Sequence, residues 1–272
     1  MAKAGSPWKI SCLTATPFGL FAAIYNNNTR NKSQLFRDGK FVKEFPFETL
    51  GQGTVGPDGS VWFAGECGRL VRWRDGQITL GMELKYSTCT GIWQDKAIVI
   101  NTPTNNQIAV HDCINGQRLF GLPGGGIATQ CAVRDGKLYA ATCDYEGTCG
   151  VACSDGKVIR LPACQCIVNF NGHLIATSKN SLYAITSDMK AVKLADAPVE
   201  KFMHMHISAD NRLWIAGVNP DCLWAVNPDL TWRFVGWMPH GNRKIGGSVF
   251  WTRITDGYWG RGLPAELYSV TA

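Results

Sequence analysis

The 272-residue chain has no long hydrophobic run and little charge. No stretch approaches the roughly 18 consecutive apolar residues of a membrane-spanning helix, so no membrane contact is expected. Residues 1–8 lack the basic start and apolar segment of a secretory signal, which predicts synthesis in the cytoplasm. Charged residues make up 18% of the chain and hydrophobic residues 45%, the balance of a folded domain rather than a disordered one.

Common catalytic motifs are also missing. The chain contains neither the Gly-x-Ser-x-Gly turn of serine hydrolases nor the phosphate-binding Gly-x4-Gly-Lys-Ser/Thr loop. Glycines and turn dipeptides interrupt the apolar runs before a helix of ordinary length could form. These absences leave a protein of short strands and turns.

What the chain does contain is a repeated strand of four residues that follows a turn. The seven copies start 36 to 41 positions apart and occupy residues 20–23, 61–64, 97–100, 138–141, 174–177, 213–216 and 249–252. A period near 40 made only of strands and turns is typical of a β-propeller. We therefore expect a single domain over residues 1–272, with seven four-stranded antiparallel blades.

Asp-Gly and Asn-Gly pairs, such as Asp75-Gly76 and Asn171-Gly172, separate many of these strands and predict tight hairpins. The last unit stops before its expected outer strand, whereas the segment Ser6–Ile10 is spare. Pairing of this N-terminal segment onto the last blade would remove an open sheet edge. The sequence therefore predicts that the N-terminal strand closes the ring.

Two turn-strand phrases carry a resemblance to known propellers. Residues 58–64 read Asp-Gly-Ser-Val-Trp-Phe-Ala and residues 210–216 read Asp-Asn-Arg-Leu-Trp-Ile-Ala. Both resemble the repeat of streptogramin-lyase-like and NHL-type propellers. The resemblance implies the fold and not an activity, because the motif is one of folding. Streptogramin lyases use an inner-face His with acidic and His metal partners, and no such set aligns with this sequence.

Eleven cysteines are many for a chain made in the cytoplasm. Cys12, Cys89, Cys131 and Cys166 precede their units' repeated strands by seven or eight positions, which places them on innermost strands around the channel. Small apolar thiols suit strands that converge on an axis. The alternative is a thiol-lined channel that binds a soft metal ion.

Cys143, Cys149 and Cys153 lie on one predicted hairpin and are candidates for a disulfide. A zinc site is the alternative, from Cys149 and Cys153 together with Cys164 and Cys166. The spacings differ from the usual Cys-x2-Cys arrangement. Because eleven is odd, at least one thiol is free or pairs with another chain.

His204 and His206 are the strongest candidates for chemistry, since residues i and i+2 of a strand face the same side. If that side is the channel, His240 of the seventh unit could join them as a ligand of a divalent metal. The alternative is that these imidazoles are packed or hydrogen-bonded near a channel mouth.

The net charge of +6 is concentrated in residues 1–43, which hold seven basic residues and a single acidic one, Asp38. A basic face could meet an acidic partner. It could also be a solvated edge whose lysines prevent strand pairing. Nucleic acid is not the expected partner of this segment.

Taken together, these patterns favour a non-enzymatic binding or structural propeller with no cofactor. Its partners would be other chains of a larger protein assembly, including copies of itself, and the concrete case is a phage virion protein of the tail or neck. The alternative is a metal-dependent lyase or lactonase with its site in the central channel.

Overall fold

The computed structural model describes strands throughout the chain. The described residues are 8–26, 28–29, 32–46, 49–50, 53–56, 58–66, 69–83, 87–93, 96–101, 107–125, 127–143, 149–207, 211–218, 222–237, 242–246, 249–252, 255–256, 261–262 and 267–269. Every regular element among them is a β-strand, so none of them forms a helix long and apolar enough to cross a bilayer.

The first half of the chain forms three antiparallel sheets in sequence order. Sheet 1 contains β1 (Trp8–Thr16), β2 (Gly19–Asn26), β3 (Ser33–Arg37) and β4 (Lys40–Phe45). Sheet 2 contains β5 (Thr49–Leu50), β6 (Thr54–Val55), β7 (Val61–Glu66), β8 (Arg69–Arg74) and β9 (Gln77–Glu83), and both β5 and β6 pair with β7. Sheet 3 contains β10 (Ser87–Trp93), β11 (Lys96–Asn101), β12 (Gln107–Asp112) and β13 (Arg118–Gly125).

The second half repeats this plan. Sheet 4 contains β14 (Ile127–Arg134), β15 (Lys137–Cys143), β16 (Cys149–Cys153) and β17 (Val158–Arg160). Sheet 5 contains β18 (Ile167–Phe170), β19 (His173–Ser178), β20 (Ser181–Ile185) and β21 (Ala191–Asp196). Sheet 6 contains β22 (Lys201–Ile207), β23 (Leu213–Val218), β24 (Cys222–Val226) and β25 (Trp232–Trp237). The last sheet contains β26 (Asn242–Gly246), β27 (Val249–Thr252) and β30 (Leu267–Ser269), and β28 (Thr255–Asp256) pairs with β29 (Arg261–Gly262).

The sheets form a ring. The first strand of each sheet lies beside an inner strand of the next, as β10 does beside β14, β14 beside β18, and β18 beside β22. At the end of the chain β22 contacts β26, and β26 contacts β1. The protein is therefore an all-β propeller with the first strand of each sheet next to its axis.

The apolar core lies between consecutive sheets. Phe21 and Leu35 of sheet 1 pack against Phe63 and Trp73 of sheet 2, and all four side chains are buried. The Phe21 ring centroid is 5.4 Å from that of Phe63. Equivalent clusters join sheets 3 and 4, sheets 4 and 5, and sheets 5 and 6. A second strand such as β19 thus has two buried faces, one for each neighbouring sheet.

The predicted turn chemistry is confirmed at several hairpins. Asp75 and Gly76 have φ of 50° and 82°, and Asn171 and Gly172 have φ of 51° and 79°. Positive φ at both central residues defines the type I′ turn, which matches the twist of paired strands. The seven repeated strands predicted from the sequence are β2, β7, β11, β15, β19, β23 and β27, and each lies next to the innermost strand or strands of its sheet.

One prediction about closure is wrong for the described residues. Trp8 to Ile10 belong to β1 and pair with Asn26 to Ile24 of sheet 1, so they do not add a strand to the last sheet. The physical reason is a β-bulge between Ile10 and Cys12, which lets one long strand carry both segments. Residues 1–7 lie outside the described part of the chain. Closure comes instead from β26 against β1.

A glycine substitution tests the turn geometry. Gly136 has φ of 69°, and a Cβ added to it would meet no atom within 4 Å. We expect Gly136→Ala to lower the free energy of unfolding by about 1–2 kcal/mol, because an L-residue at positive φ is strained. Thermal unfolding measures the loss.

Gly236→Ala is the matched control, since its added Cβ also meets nothing within 4 Å and its φ is outside the left-handed range. An equal loss of stability in the two variants would contradict the turn assignment.

Candidate functional site

The strand β22 carries the histidines that the sequence singles out. His204 lies opposite Ala216 and His206 lies opposite Trp214 on β23. Trp214 and Ala216 belong to the apolar face of sheet 6 that lies beside β26. The register therefore places both histidines on the face turned toward the last sheet. Their side chains and the whole of His240 lie outside the described part of the structure.

Met205, between the two histidines, faces the other way. Its side chain is fully buried in the core between sheets 5 and 6, beside Cys166 and Phe170. A buried Met at this position fixes β22 against sheet 5. This packing is what holds the His204 and His206 positions on the opposite face.

The Met205 backbone is also the meeting point of three sheets. The Gln130 side chain, on β14 of sheet 4, donates from Nε2 to the Met205 carbonyl oxygen over 3.0 Å. The Met205 backbone also hydrogen-bonds the Cys166 sulfur next to β18 of sheet 5. Gln130 thus bridges sheets 4 and 6 past sheet 5, which is geometrically feasible only where the innermost strands converge near the axis.

Gln130 is a hub residue that the sequence analysis missed. Its Oε1 is buried and accepts no hydrogen bond from any group in the described part of the chain. The only local signal in the sequence was a polar amide beside Cys131 in the innermost strand β14. The hydrogen bond from Nε2 to the Met205 carbonyl oxygen orients the amide.

The predicted channel thiols point elsewhere. Cys131 is on β14 but packs against the core between sheets 3 and 4, and Cys166 is buried in the core between sheets 5 and 6. Cys166 immediately precedes β18 rather than lying on it. The expectation of channel-lining thiols is therefore corrected for these two residues only, because their side chains fill interfaces between sheets. Cys12 and Cys89 are on β1 and β10, their side chains are not among those described, and for them the expectation stays a prediction.

The buried thiols are poor nucleophiles and poor metal ligands. Burial raises the pKa of Cys166 to about 12, although hydrogen bonds from Thr177 and the Met205 backbone act in the opposite direction. Burial likewise raises the pKa of Cys153. Because the thiolate is the reactive and metal-binding form, both residues behave as small apolar side chains at neutral pH.

The zinc arrangement considered from the sequence does not assemble. Cys153 and Cys164 are both buried in the core between sheets 4 and 5, whereas Cys166 is buried on the other side of sheet 5. The six cysteines whose side chains are described, Cys113, Cys131, Cys153, Cys164, Cys166 and Cys222, are thiols and not disulfides. Within the described residues, no three His, Cys, Asp or Glu side chains converge in a way that could hold a metal ion.

Cys143 and Cys149 occupy a distinctive position. They lie directly opposite each other at the end of the β15–β16 ladder, and Cys153 lies opposite Tyr139 on the same ladder. The side chains of Cys143 and Cys149 are outside the described part of the structure. The register thus singles out Cys143 and Cys149 as partners among the three disulfide candidates.

The carboxylate of Asp58 has a structural role. Asp58 accepts hydrogen bonds from Arg72, from Arg74 Nη1 at 3.0 Å, and from the Ser60 hydroxyl at 2.5 Å. Burial acts to raise the pKa of Asp58, but the Ser60 and Arg72 hydrogen bonds lower it to about 2. Asp58 remains ionised at neutral pH and ties the turn before β7 to β8, so it is not poised as a general base.

One gap between described residues is apolar and small. It lies between sheets 5 and 6, has a volume of about 60 Å³, and is lined by Leu182, Leu194, Val226, Leu230 and Trp232 among others. Ligand pockets usually measure about 300–1,000 Å³. This gap is therefore a packing defect near the outer surface and not a site for a drug-sized ligand.

The outer strands expose apolar side chains. Each of the outer strands β4, β9, β13, β17, β21 and β25 carries at least one, and these are Phe41, Leu80, Leu119, Val158, Val192 and Phe234. Phe41 is 59% exposed. Charged residues such as Lys40, Lys43 and Lys193 stand beside them, as expected on unpaired edges. The rim thus combines edge strands with exposed apolar side chains.

The basic N-terminal stretch is only partly available to a partner. Lys32 pairs with Glu44 at 3.2 Å, and the Arg37 guanidinium lies 5.0 Å from the centre of the Trp73 ring. Lys40 and Lys43 are exposed on β4. The exposed lysines Lys40 and Lys43 therefore lie on the outer edge of sheet 1.

Solved structures share this architecture. A catalytically inactive virginiamycin B lyase from Staphylococcus aureus with quinupristin superposes with a TM-score of 0.66 at 15% identity, covering 92% of this chain and 93% of that chain. A streptogramin B lyase gives 0.57 at 16% identity, with 89% of each chain covered. BamB from Moraxella catarrhalis gives 0.53 at 14% identity, covering 89% and 92%.

The likeness to streptogramin lyases predicted from residues 58–64 and 210–216 is thus confirmed at the level of the fold. No protein-family model matches the chain, and no curated protein matches its sequence. At these identities the likeness carries the propeller architecture alone.

Substitution of Gln130 tests the hub geometry. We expect Gln130→Glu to lower Tm by about 5 °C or more at pH 8, because an ionised carboxylate is only an acceptor and would face the Met205 carbonyl. Its folded-state pKa would be raised above the ordinary value near 4.3, so the loss should shrink as the pH falls toward 5 and the protonated form donates again.

Gln130→Met is the matched control. It removes the donor without adding charge, so its smaller Tm decrease should not vary with pH in this way. Parallel pH profiles for Gln130→Glu and Gln130→Met in thermal unfolding would contradict the bridge.

Proposed function

We propose that this protein is a non-catalytic, seven-bladed propeller that binds other protein chains as a structural component of a larger assembly. The concrete setting is a phage virion, in the tail or neck. The observation that carries the proposal is the rim, where all six described outer strands expose apolar side chains beside unpaired strand edges. Such edges are natural surfaces for strand addition or for apolar packing by a partner.

The count of seven blades rests on the ring of contacts. Six sheets with four or more strands precede the last one, which brings β26 against both β22 and β1. A seventh blade of three described strands therefore fills the interval between sheet 6 and sheet 1. This supports the repeat count in the sequence.

Charge supports a protein partner with acidic groups. Lys40 and Lys43 extend from β4 next to the exposed ring of Phe41. An acidic partner edge would satisfy these ammonium groups while covering the apolar side chain. Copies of this chain are also suitable partners, since each has the same type of rim.

The cysteines support the virion setting. Cys153, Cys164 and Cys166 are buried thiols that fill interfaces between sheets. Such a core is best assembled where thiols stay reduced, as in a cytoplasm. A virion is assembled in that compartment and is then released into an oxidising one.

Lysine-specific crosslinking of the native particle tests the proposal. In an assembly isolated from the source cells, Lys40, Lys43 and Lys193 should form crosslinks to a reproducible set of other chains or copies. These outer-strand lysines should also react more slowly with an acylating reagent than in the isolated protein, because the partner covers them.

Lys179 is the control, since it is exposed in the turn between β19 and β20, away from the outer strands. Its reactivity should be equal in the two preparations. Crosslinks confined to single chains, with unchanged reactivity at all four lysines, would contradict a role in an assembly.

A metal-dependent lyase or lactonase is the second candidate. One observation favours it: His204 and His206 share the face of β22 turned toward β26, and His240 precedes β26 by two positions. Imidazoles on adjacent innermost strands could share a divalent ion. The lyases with similar folds make the channel a reasonable place for such a site.

Metal analysis of untagged protein separates the two functions. The lyase candidate predicts about one divalent ion per chain that is lost in His206→Ala. It also predicts that the ion is retained in His173→Ala, since His173 is exposed at the start of β19. Substoichiometric metal in the wild type, or equal metal content in both variants, would reject the lyase candidate.

A further inference from the structure

The β15–β16 hairpin of sheet 4 brings two cysteines together at defined register positions. Cys143 is the last residue of β15 and Cys149 is the first residue of β16. They are directly opposite partners in an antiparallel ladder. Whether such a pair suits a disulfide depends on the hydrogen-bonding pattern of that ladder, which alternates from one pair to the next.

The pattern is fixed at the other end of the ladder. The Ser154 N–H donates to the Leu138 carbonyl over 2.9 Å, which makes Leu138 and Ser154 a hydrogen-bonded pair. Alternation then makes Ala140–Ala152 and Thr142–Gly150 hydrogen-bonded pairs. The pairs between them, which include Cys143–Cys149, are non-hydrogen-bonded.

Non-hydrogen-bonded pairs are the closer ones. Their Cα atoms are about 4.5 Å apart and their Cβ atoms are nearer than in hydrogen-bonded pairs. Disulfides require Cα separations of roughly 4.4–6.8 Å and Cβ separations near 3.8 Å. The register position of Cys143 and Cys149 therefore matches the Cα requirement and is the one at which Cβ atoms of opposite strands approach most closely.

We propose that Cys143 and Cys149 form a cross-strand disulfide that links β15 and β16 at the loop end of their hairpin, where residues 144–148 join the two strands. The bond forms by exchange with a low-molecular-weight disulfide such as glutathione disulfide. One cysteine thiolate attacks it and releases one glutathione thiol, and the second cysteine then displaces the other glutathione. The two cysteine thiols lose two electrons and two protons, and one glutathione disulfide becomes two glutathione thiols.

Cys153 is excluded as a partner by the same register. It lies opposite Tyr139, its side chain is buried, and burial raises the pKa of its thiol. A buried, protonated thiol attacks disulfides slowly. Cys153 is therefore the internal control for the assignment.

Peptide mapping tests the proposal on the full-length protein. The protein is incubated with glutathione disulfide, quenched with acid, unfolded and alkylated. Trypsin should then release residues 138–157, which contain Cys143, Cys149 and Cys153. We expect this peptide to carry one alkyl group, on Cys153. Cleavage after Glu146 should leave its two halves covalently joined until a reductant is added.

Variants identify the bonded pair. Cys153→Ala should retain the joined halves, whereas Cys143→Ser and Cys149→Ser should lose them. Oxidation should raise the Tm of the wild type and of Cys153→Ala by about 3–6 °C, because the bond constrains the unfolded chain, and should not raise that of Cys143→Ser. If a variant fails to fold, fragment spectra of the wild-type peptide locate the bond.

Three alkyl groups on the wild-type peptide after oxidation would overturn the proposal. So would fragment spectra that place the bond at Cys153 instead of at Cys143 and Cys149. The result does not depend on what the propeller binds, since the experiment uses the isolated protein.

Discussion

Face-to-face apolar packing between consecutive sheets is the constraint on which the structure depends. No single sheet has a core of its own, so each strand must present one face to the sheet before it and the other to the sheet after it. Phe63 of β7 is fully buried against Phe21 of β2, a burial worth about 2–3 kcal/mol for each such ring. Stability in such a ring is a sum of neighbour interfaces, and it is complete only when the last sheet meets the first.

Convergence at the axis imposes a second constraint, because innermost strands approach each other closely. Within sheet 2, a Cβ on Gly53 would lie 2.7 Å from Cε1 of Phe63 on β7, so no larger residue fits there without movement of the ring. Polar contacts then link neighbouring innermost strands where apolar packing ends. The Thr14 hydroxyl accepts from the Gly53 N–H at 2.9 Å, and Gln130 donates to Met205. Hydrogen bonds thus link the innermost strands near the axis, and apolar contacts link the sheets farther out.

These constraints explain what could be predicted from the sequence. The second strand of each sheet recurs because it is covered on both faces, so its apolar residues form an uninterrupted run that is visible without coordinates. The turns were predictable because Asp75-Gly76 and Asn171-Gly172 meet a demand for positive φ that few other pairs satisfy. Residues 58–64 resemble a propeller repeat for the same reason, because Gly59 provides the positive φ of the turn before β7.

The remaining features depend on geometry that residue types do not encode. The bulge in β1 merges two segments that look separate, which is why a closing strand at Trp8 to Ile10 was wrongly predicted. The register of a residue in the repeat does not determine which way its side chain points, and both Cys131, on β14, and Cys166, just before β18, pack between sheets. Gln130 acts across sheet 5, and a contact over that distance leaves no local pattern.

The closed ring is the central claim, and an experimental density map of the isolated protein tests it most directly. The account predicts seven blades around one axis, with Asn242–Gly246 beside Trp8–Thr16 and the Gln130 side chain reaching Met205 near the axis. A map with six or eight blades, or with a gap between the first and last sheets, would contradict it.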